Sequence, residues 1–141
     1  MLFRSQSCYY LINTPTKVWY DAQFRCQGMG AGLPIIRSAD EQDFVNGLLR
    51  EMNTASPWWG AWLGLQQGDG NKYYWVDGNP LDGGYTEWSS GEPNDPAGEH
   101  CTHMWGKDGP GTAGSWNDVN CDASQYGNKH PFPVVLCQKP C

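Results

Sequence analysis

The sequence lacks any long hydrophobic run and any excess of positive charge. Its apolar stretches are far shorter than the roughly 20 residues that a membrane-spanning helix requires, and its first residues lack the apolar core of a signal peptide. We therefore expect no membrane span in this chain. Because 15 Asp and Glu outnumber 9 Lys and Arg, the formal net charge is −6. Nucleic-acid-binding surfaces need positive charge, so we expect no nucleic-acid partner.

Common catalytic and metal-binding motifs are also missing. The sequence contains no Gly-x-Ser-x-Gly, no His-Glu-x-x-His and no phosphate-binding loop. It has six cysteines but no Cys-x-x-Cys pair. In a small, weakly charged chain, such cysteines favour a disulfide framework over a metal site. We therefore expect an extracellular location, either secreted or in the ectodomain of a surface protein.

The composition is rich in residues that make loops and aromatic cores. Of 141 residues, 18 are Gly, 10 are Pro and 8 are Trp, whereas only 17% are charged. This mixture is typical of a loop-rich globular domain and excludes a coiled coil or a helical bundle. We expect one domain over residues 1–141, with short tails at 1–7 and 138–141.

Two helices are predicted ahead of most of the strands. Apolar residues recur at helical spacing in residues 17–29, and a glycine ends that segment. Ser38 and Glu41 form a capping box that opens a second helix at about 39–52. Aromatic or β-branched runs predict strands at 8–12, 61–65, 72–76, 100–105 and 134–137. This order indicates an α+β domain.

The long segment between residues 79 and 118 holds the candidate site. It contains eight Gly and four Pro residues, and loops of this length in a compact domain are typically functional. Carboxylate and amide oxygens, which are ligands that calcium prefers, are concentrated there. The candidate ligands are Glu92, Asn94, Glu99, Asn117 and Asp118. The Glu92-Pro93 bond is also of the type most able to be cis.

Several motifs occur in an order that resembles a known family. They are Trp19…Ala22…Cys26, Trp62-Leu63-Gly64-Leu65, Glu92-Pro93-Asn94, Glu99-His100-Cys101, Trp116-Asn117-Asp118, Cys121 and Val135-Leu136-Cys137. Together they resemble the C-type lectin-like domain from about Cys8 to Cys137. The resemblance implies a double-loop fold, with two helices flanking small antiparallel sheets and a long loop that holds calcium and sugar. It also implies disulfides Cys26–Cys137 and Cys101–Cys121.

The same resemblance implies one principal calcium site that also binds the sugar. Its metal ligands and sugar-binding residues would be Glu92, Asn94, Glu99, Asn117 and Asp118. Many members have a second calcium site built from acids at positions that here hold Gln66, Gln67 and His100. We therefore expect no well-formed second site, with Asp69 only a weak candidate ligand for one.

The order of acid and amide implies which sugars bind. In the family, a Glu-Pro-Asn motif is associated with binding of mannose, glucose, GlcNAc and fucose, whereas a Gln-Pro-Asp motif is associated with binding of galactose. The reason is that exchanging the acid and the amide reverses the order of hydrogen-bond donors and acceptors that face the sugar hydroxyls. The expected partners are glycans with terminal mannose-type sugars, bound without catalysis. Several copies of the chain in a homo-oligomer would supply avidity.

Other interpretations of these residues stay open. A protein-binding or ice-binding domain would keep the scaffold with altered or no sugar binding. His100 and His103 beside Cys101 suggest zinc, although the two histidines would point to opposite faces of a strand. Glu92 and Asp118 would make a glycosidase pair only if one of them had a raised pKa.

Two features fall outside the family pattern. Cys8 and Cys141 are left over, and we favour an intrachain bridge between them over intermolecular pairing. The glycine-rich segment 106–114 either extends the binding surface or is a tolerated insertion. Among the tryptophans, we expect four to be buried, and three others are candidates for stacking on a sugar, although a place in the core is the more common role of a tryptophan. The first group is Trp19, Trp62, Trp75 and Trp116, and the second is Trp58, Trp59 and Trp105.

Overall fold

Both predicted helices are present, and each buries one face. The computed structural model describes residues 2–3, 7–51, 58–94, 98–108, 111–126 and 132–141. Helix α1 spans Trp19–Gln27, and α2 spans Ala39–Glu51. Within the ranges just given, neither helix is long or apolar enough to cross a membrane.

The helix ends follow the local sequence signals. The backbone N–H of Glu41 donates to Ser38 Oγ at 3.1 Å, which confirms the capping box. Helix α1 ends earlier than predicted because the chain turns back at Gly30, whose φ of 70° favours glycine. The N–H of Ala31 then returns to the carbonyl of Cys26 at 2.9 Å. Met52, the predicted end of α2, lies outside the described residues.

The described strands form two antiparallel sheets. The first has the order β1-β2-β7, formed by Leu2–Phe3, Ser7–Ile12 and Val135–Pro140. The second has the order β4-β3-β5-β6, formed by Tyr73–Trp75, Ala61–Gln67, Cys101–Met104 and Trp116–Val119. Short 3-10 turns lie at Asp69–Asn71 and Ala123–Tyr126. The predicted α+β class is confirmed.

Two strands were not predicted from the sequence. β1 is only two residues long. β6 consists of Trp116, Asn117, Asp118 and Val119, and two polar residues at its centre obscure the apolar pattern that marks a strand. Its hydrogen bonds are nevertheless those of a regular antiparallel pair, with Met104 opposite Trp116 and Cys101 opposite Val119.

Strand β3 is buried on both faces and separates two clusters of core side chains. Trp62 packs on the side of helix α1, whereas Leu63 and Leu65 pack on the side of helix α2. The indole N–H of Trp19 donates to the carbonyl of Leu63 at 2.7 Å and so joins α1 to this strand. All four tryptophans predicted to be buried are at most 3% exposed.

The two ends of the chain lie together in the first sheet. Ser7 pairs with Pro140, and the Cys8–Cys141 disulfide closes the pair. Residues 138–140 are therefore part of β7, which corrects the prediction of a tail there, because the bridge holds both ends in register. The predicted bridges Cys26–Cys137 and Cys101–Cys121 are also present.

Replacing both Cys8 and Cys141 by Ser should lower the free energy of unfolding by about 2–4 kcal/mol, because the unfolded chain regains the entropy of a long open loop. The two cysteines are 133 residues apart in sequence. Urea denaturation of oxidised wild type and the double variant measures the difference. An unchanged midpoint would contradict a stabilising role for this bridge.

Candidate functional site

The irregular segment after β4 is fixed to strand β6. Trp88 forms a parallel bridge with Trp116, and their rings lie 5.8 Å apart at a steep angle. The N–H of Ser89 donates to the carbonyl of Trp116 at 2.8 Å, and the N–H of Glu92 donates to Ser89 O at 2.9 Å. The Glu92–Pro93 peptide is cis. This docking brings the Glu-Pro-Asn motif beside β6.

A polar pocket of about 430 Å³ lies at this junction. Its lining residues are Ser89, Ser90, Glu92, Asn94, Glu99, Trp105 and Asn117. Four of the five predicted ligands therefore share one concavity, although they come from three separate parts of the chain.

The fifth predicted ligand, Asp118, lies behind the pocket. Its side chain is 0% exposed. Both of its carboxylate oxygens accept the backbone N–H of Asn94, at 3.1 and 3.2 Å. Such charge-assisted bonds are strong, so Asp118 holds the Glu-Pro-Asn motif in place from the side of β6.

Burial and two neighbouring carboxylates raise the pKa of Glu92. Burial, followed by the negative charges of Asp118 and Glu99, raises the pKa of Glu92 from 4.5 to about 7. Because this folded-state pKa lies above the ordinary value, the metal-free fold takes up protons relative to the unfolded chain. The contribution of Glu92 to stability is therefore lost as the pH rises from about 4.5 to 7.

A buried histidine orients the amide of Asn117. His103 is 0% exposed, and burial lowers its pKa to about 4, which keeps the ring neutral at pH 7. Nδ1 lies 2.9 Å from the carbonyl of Trp59, which can only accept, so Nδ1 carries the proton. Nε2 then accepts from Asn117 Nδ2 at 3.3 Å. This bond turns the amide oxygen of Asn117 away from His103.

A tyrosine from the turn after β6 holds Glu99. The hydroxyl of Tyr126 donates to the Glu99 carboxylate and accepts the backbone N–H of Asn120, the latter at 2.8 Å. Burial and the bond to Glu99 raise the pKa of Tyr126 above its usual range, so the phenol stays protonated as the donor. No sequence signal marked Tyr126, because this contact joins positions 27 residues apart through the tertiary fold.

The donor set fits a hard cation such as calcium, but only with amide oxygens included. Calcium takes six to eight oxygen ligands, and the site offers three carboxylates and two amides. Across the described ranges, no three His, Cys, Asp or Glu side chains by themselves form a metal-binding group. The side chains of Asn94 and Asn117, which line the pocket with Glu92 and Glu99, add amide oxygens to the donor set. Asp69 lies in a separate turn and does not line the pocket.

The geometry opposes the two chemical alternatives. Cys101 is bonded to Cys121, and the His103 ring already contacts Trp59 and Asn117, so these residues do not make a zinc site. Glu92 has the raised pKa that a glycosidase acid needs, but its partner Asp118 is fully buried. A buried carboxylate cannot reach a glycosidic bond in the pocket.

The tryptophans near the pocket differ in their access to it. Trp105 lines the pocket, with 6% of its surface exposed, and packs against Trp59 at 5.3 Å. Trp58 is 55% exposed but does not line the pocket. Gly111 lies so close to Trp105 that an added Cβ would sit 2.6 Å from the indole. Part of the glycine-rich segment therefore packs against the wall of the pocket.

Sequence comparison finds relatives over most of the chain. The "Lectin C-type domain" family matches residues 15–127. The chain is 32% identical over 140 residues to C-type lectin domain family 4 member M of Symphalangus syndactylus, which covers 98% of this chain and 28% of that protein. It is 33% identical over 135 residues to hepatic lectin of Gallus gallus, and that alignment covers 94% of this chain and 55% of the lectin. The chain thus spans only part of these relatives.

Solved structures with the same fold cover nearly the whole chain. The carbohydrate-recognition domain of cow CD23, determined in the presence of a GlcNAc2Man3 oligosaccharide, has a TM-score of 0.72 and 32% identity, over 96% of this chain and 89% of that one. The C-type lectin domain of murine dendritic cell inhibitory receptor 2, in complex with N-glycan, has a TM-score of 0.73 and 28% identity. The match covers 97% of this chain and 93% of that one.

Replacing Asp118 by Asn should lower the pKa of Glu92 part of the way from about 7 towards 4.5, because one repelling charge is removed and burial remains. Carbon-13 NMR of the Glu92 carboxyl group, titrated with pH in EDTA, measures the value. Asp43→Asn, an exposed change on α2, is the matched control. An unaltered Glu92 pKa in the Asp118 variant would refute the proximity of these two carboxylates.

Proposed function

This chain belongs to the C-type lectin domain family, a family of non-enzymatic carbohydrate-binding domains, and from this premise we propose that it binds mannose-type sugars through one calcium ion. The calcium ligands would be the five side chains predicted from the sequence, with Glu92, Asn94, Glu99 and Asn117 lining the pocket and Asp118 behind it. The observation that carries the proposal is that four of them line one pocket, while Asp118 bonds the backbone N–H of Asn94 from behind it.

The electrostatics of the pocket support a cation there. Burial, followed by the charges of Asp118 and Glu99, raises the pKa of Glu92, so part of this shift reflects repulsion between like charges that lie close together. When bound, a calcium ion would offset this repulsion and present open coordination positions to vicinal sugar hydroxyls. The protein residues Asp118 and His103 hold the ligands Asn94 and Asn117 in position beforehand.

The order of donors and acceptors supports the mannose-type preference. A carboxylate only accepts hydrogen bonds, whereas an amide nitrogen donates, so each sugar hydroxyl would donate to an acid and accept from an amide. Glu92 precedes Asn94 in this chain, the order that accompanies mannose, glucose, GlcNAc and fucose. The pocket is small and polar, and we expect a single site to bind with an affinity near 1 mM.

Useful avidity would then require several copies of the site. The curated relatives are longer than this chain, which spans 28% of the first and 55% of the other. We propose that the domain acts outside the cell, because three disulfides join its six cysteines, and that it works in multivalent contact with glycan surfaces.

Wild-type protein should be retained on a mannan column in calcium and released by EDTA. The double variant Glu92→Gln with Asn94→Asp should lose this retention and bind galactose-agarose instead, because donors and acceptors exchange places. Asp43→Asn should behave as wild type. Retention of the wild type without calcium, or none with it, would overturn the proposed function.

The variant Tyr126→Phe should bind calcium about tenfold more weakly, because Glu99 loses the donor that orients it. Isothermal titration calorimetry with calcium chloride measures the affinity. Tyr10→Phe is the matched control, since Tyr10 is 40% exposed and lies in the other sheet. Equal affinities in the wild type and Tyr126→Phe would show that the phenol has no positioning role.

A further inference from the structure

A second concavity lies between helix α1 and the edge of the four-stranded sheet. It has a volume of about 500 Å³. It shares no lining residue with the carboxylate pocket. Its floor includes Trp19 and Trp75, which are both nearly fully buried, and its sides rise from α1 and from strands β3 and β4. We refer to it as the α1 groove.

Aromatic side chains form the walls of the α1 groove, exposed on the helix and half-buried on the sheet. On the helix, Tyr20 is 59% exposed and Phe24 is 75% exposed, and the two are one helical turn apart. On the sheet, Tyr74 lies across from them, and its ring is so close to Gly68 that an added Cβ would sit 3.0 Å from it. Large aromatic residues clustered at an exposed concavity mark a binding surface.

Amide side chains supply the hydrogen-bonding groups of the groove. Gln23 and Gln27 lie one turn apart on α1, and Gln66 and Gln67 end strand β3. Gln66 Nε2 donates to the hydroxyl of Tyr20 at 3.1 Å, which links the two walls. Some of these groups are used within the protein, because Gln23 Oε1 accepts the N–H of Leu33 at 2.9 Å and Gln67 Nε2 donates to Asn71 Oδ1 at 3.0 Å. The hydrogen bonds to a ligand would therefore come from Gln23 Nε2, Gln66 Oε1 and the amide of Gln27.

The described residues that line the α1 groove carry no side chain that is charged at pH 7. No Asp, Glu, Lys, Arg or His is among the described residues that line it, although the whole chain carries a net charge of −6. A charged ligand would lose its hydration here without gaining a partner of opposite charge. The groove therefore suits a neutral ligand with many hydrogen-bonding groups.

We propose that the α1 groove is a second sugar site, which binds neutral oligosaccharides without calcium. The apolar face of a pyranose ring would stack on Phe24 and Tyr74, and its hydroxyls, which both donate and accept, would pair with the glutamine amides. This site goes beyond the proposed function because it needs none of the five carboxylate and amide ligands.

The test uses the wild-type chain in EDTA, which removes calcium and so abolishes any calcium-dependent binding. Cellotriose and mannotriose are titrated separately while nitrogen-15 NMR follows the indole N–H groups of Trp19 and Trp75. At least one sugar should shift both signals with a dissociation constant on the order of 1 mM. The variant Phe24→Ala, which removes a mostly exposed ring, should weaken binding about tenfold.

Two controls separate this site from the carboxylate pocket. Tyr10→Ala removes an exposed aromatic residue elsewhere and should bind as wild type in EDTA. Asp118→Asn should likewise keep the EDTA-resistant shifts, whereas Phe24→Ala should keep calcium-dependent retention on mannan. Binding at one site can therefore be lost while binding at the other is kept, so failure of this proposal can be distinguished from failure of the proposed function.

Three outcomes would overturn the proposal. They are the absence of shifts at Trp19 and Trp75 with either sugar at about 10 mM, equal affinities for wild type and Phe24→Ala, and shifts that follow protein concentration rather than sugar. The last result would identify the occupant of the groove as a second copy of the chain.

Discussion

The packing of Trp116 is the constraint on which the site depends. Its ring is completely buried, its indole N–H donates to Gln42 Oε1 at 3.0 Å, and its backbone N–H donates to the carbonyl of Glu87 at 2.8 Å. One residue thus joins helix α2, the irregular segment and strand β6. Asn117 and Asp118 follow it directly, so their positions are set by a tryptophan that does not itself line the pocket.

Much of the fold was predictable because its signals are local. The capping box at Ser38 and the helical spacing in residues 17–29 depend on neighbours a few positions away, and both predictions are confirmed. Strand β6 was missed because polar Asn117 and Asp118 replace the apolar pattern. The sequence signal for a strand is weakest where the strand carries functional side chains.

The sequence predicted that the candidate residues would lie together, but it did not predict the contacts that surround them. The types and order of the oxygen donors follow from the sequence, and four of them line one pocket. The burial of Asp118, the His103 contact to Asn117 and the Tyr126 contact to Glu99 arise only when distant segments meet. These supporting contacts decide how firmly the donors are held, because an oriented ligand loses less entropy on binding.

The closure of the chain by Cys8–Cys141 has a mechanical consequence. The Cα atoms of these residues are 5.1 Å apart, and they flank nearly the whole fold. Tension applied between them would be carried by the covalent sulfur link rather than by the hydrogen bonds of β2 and β7. The disulfide therefore prevents β2 and β7 from being peeled apart at this end of the sheet.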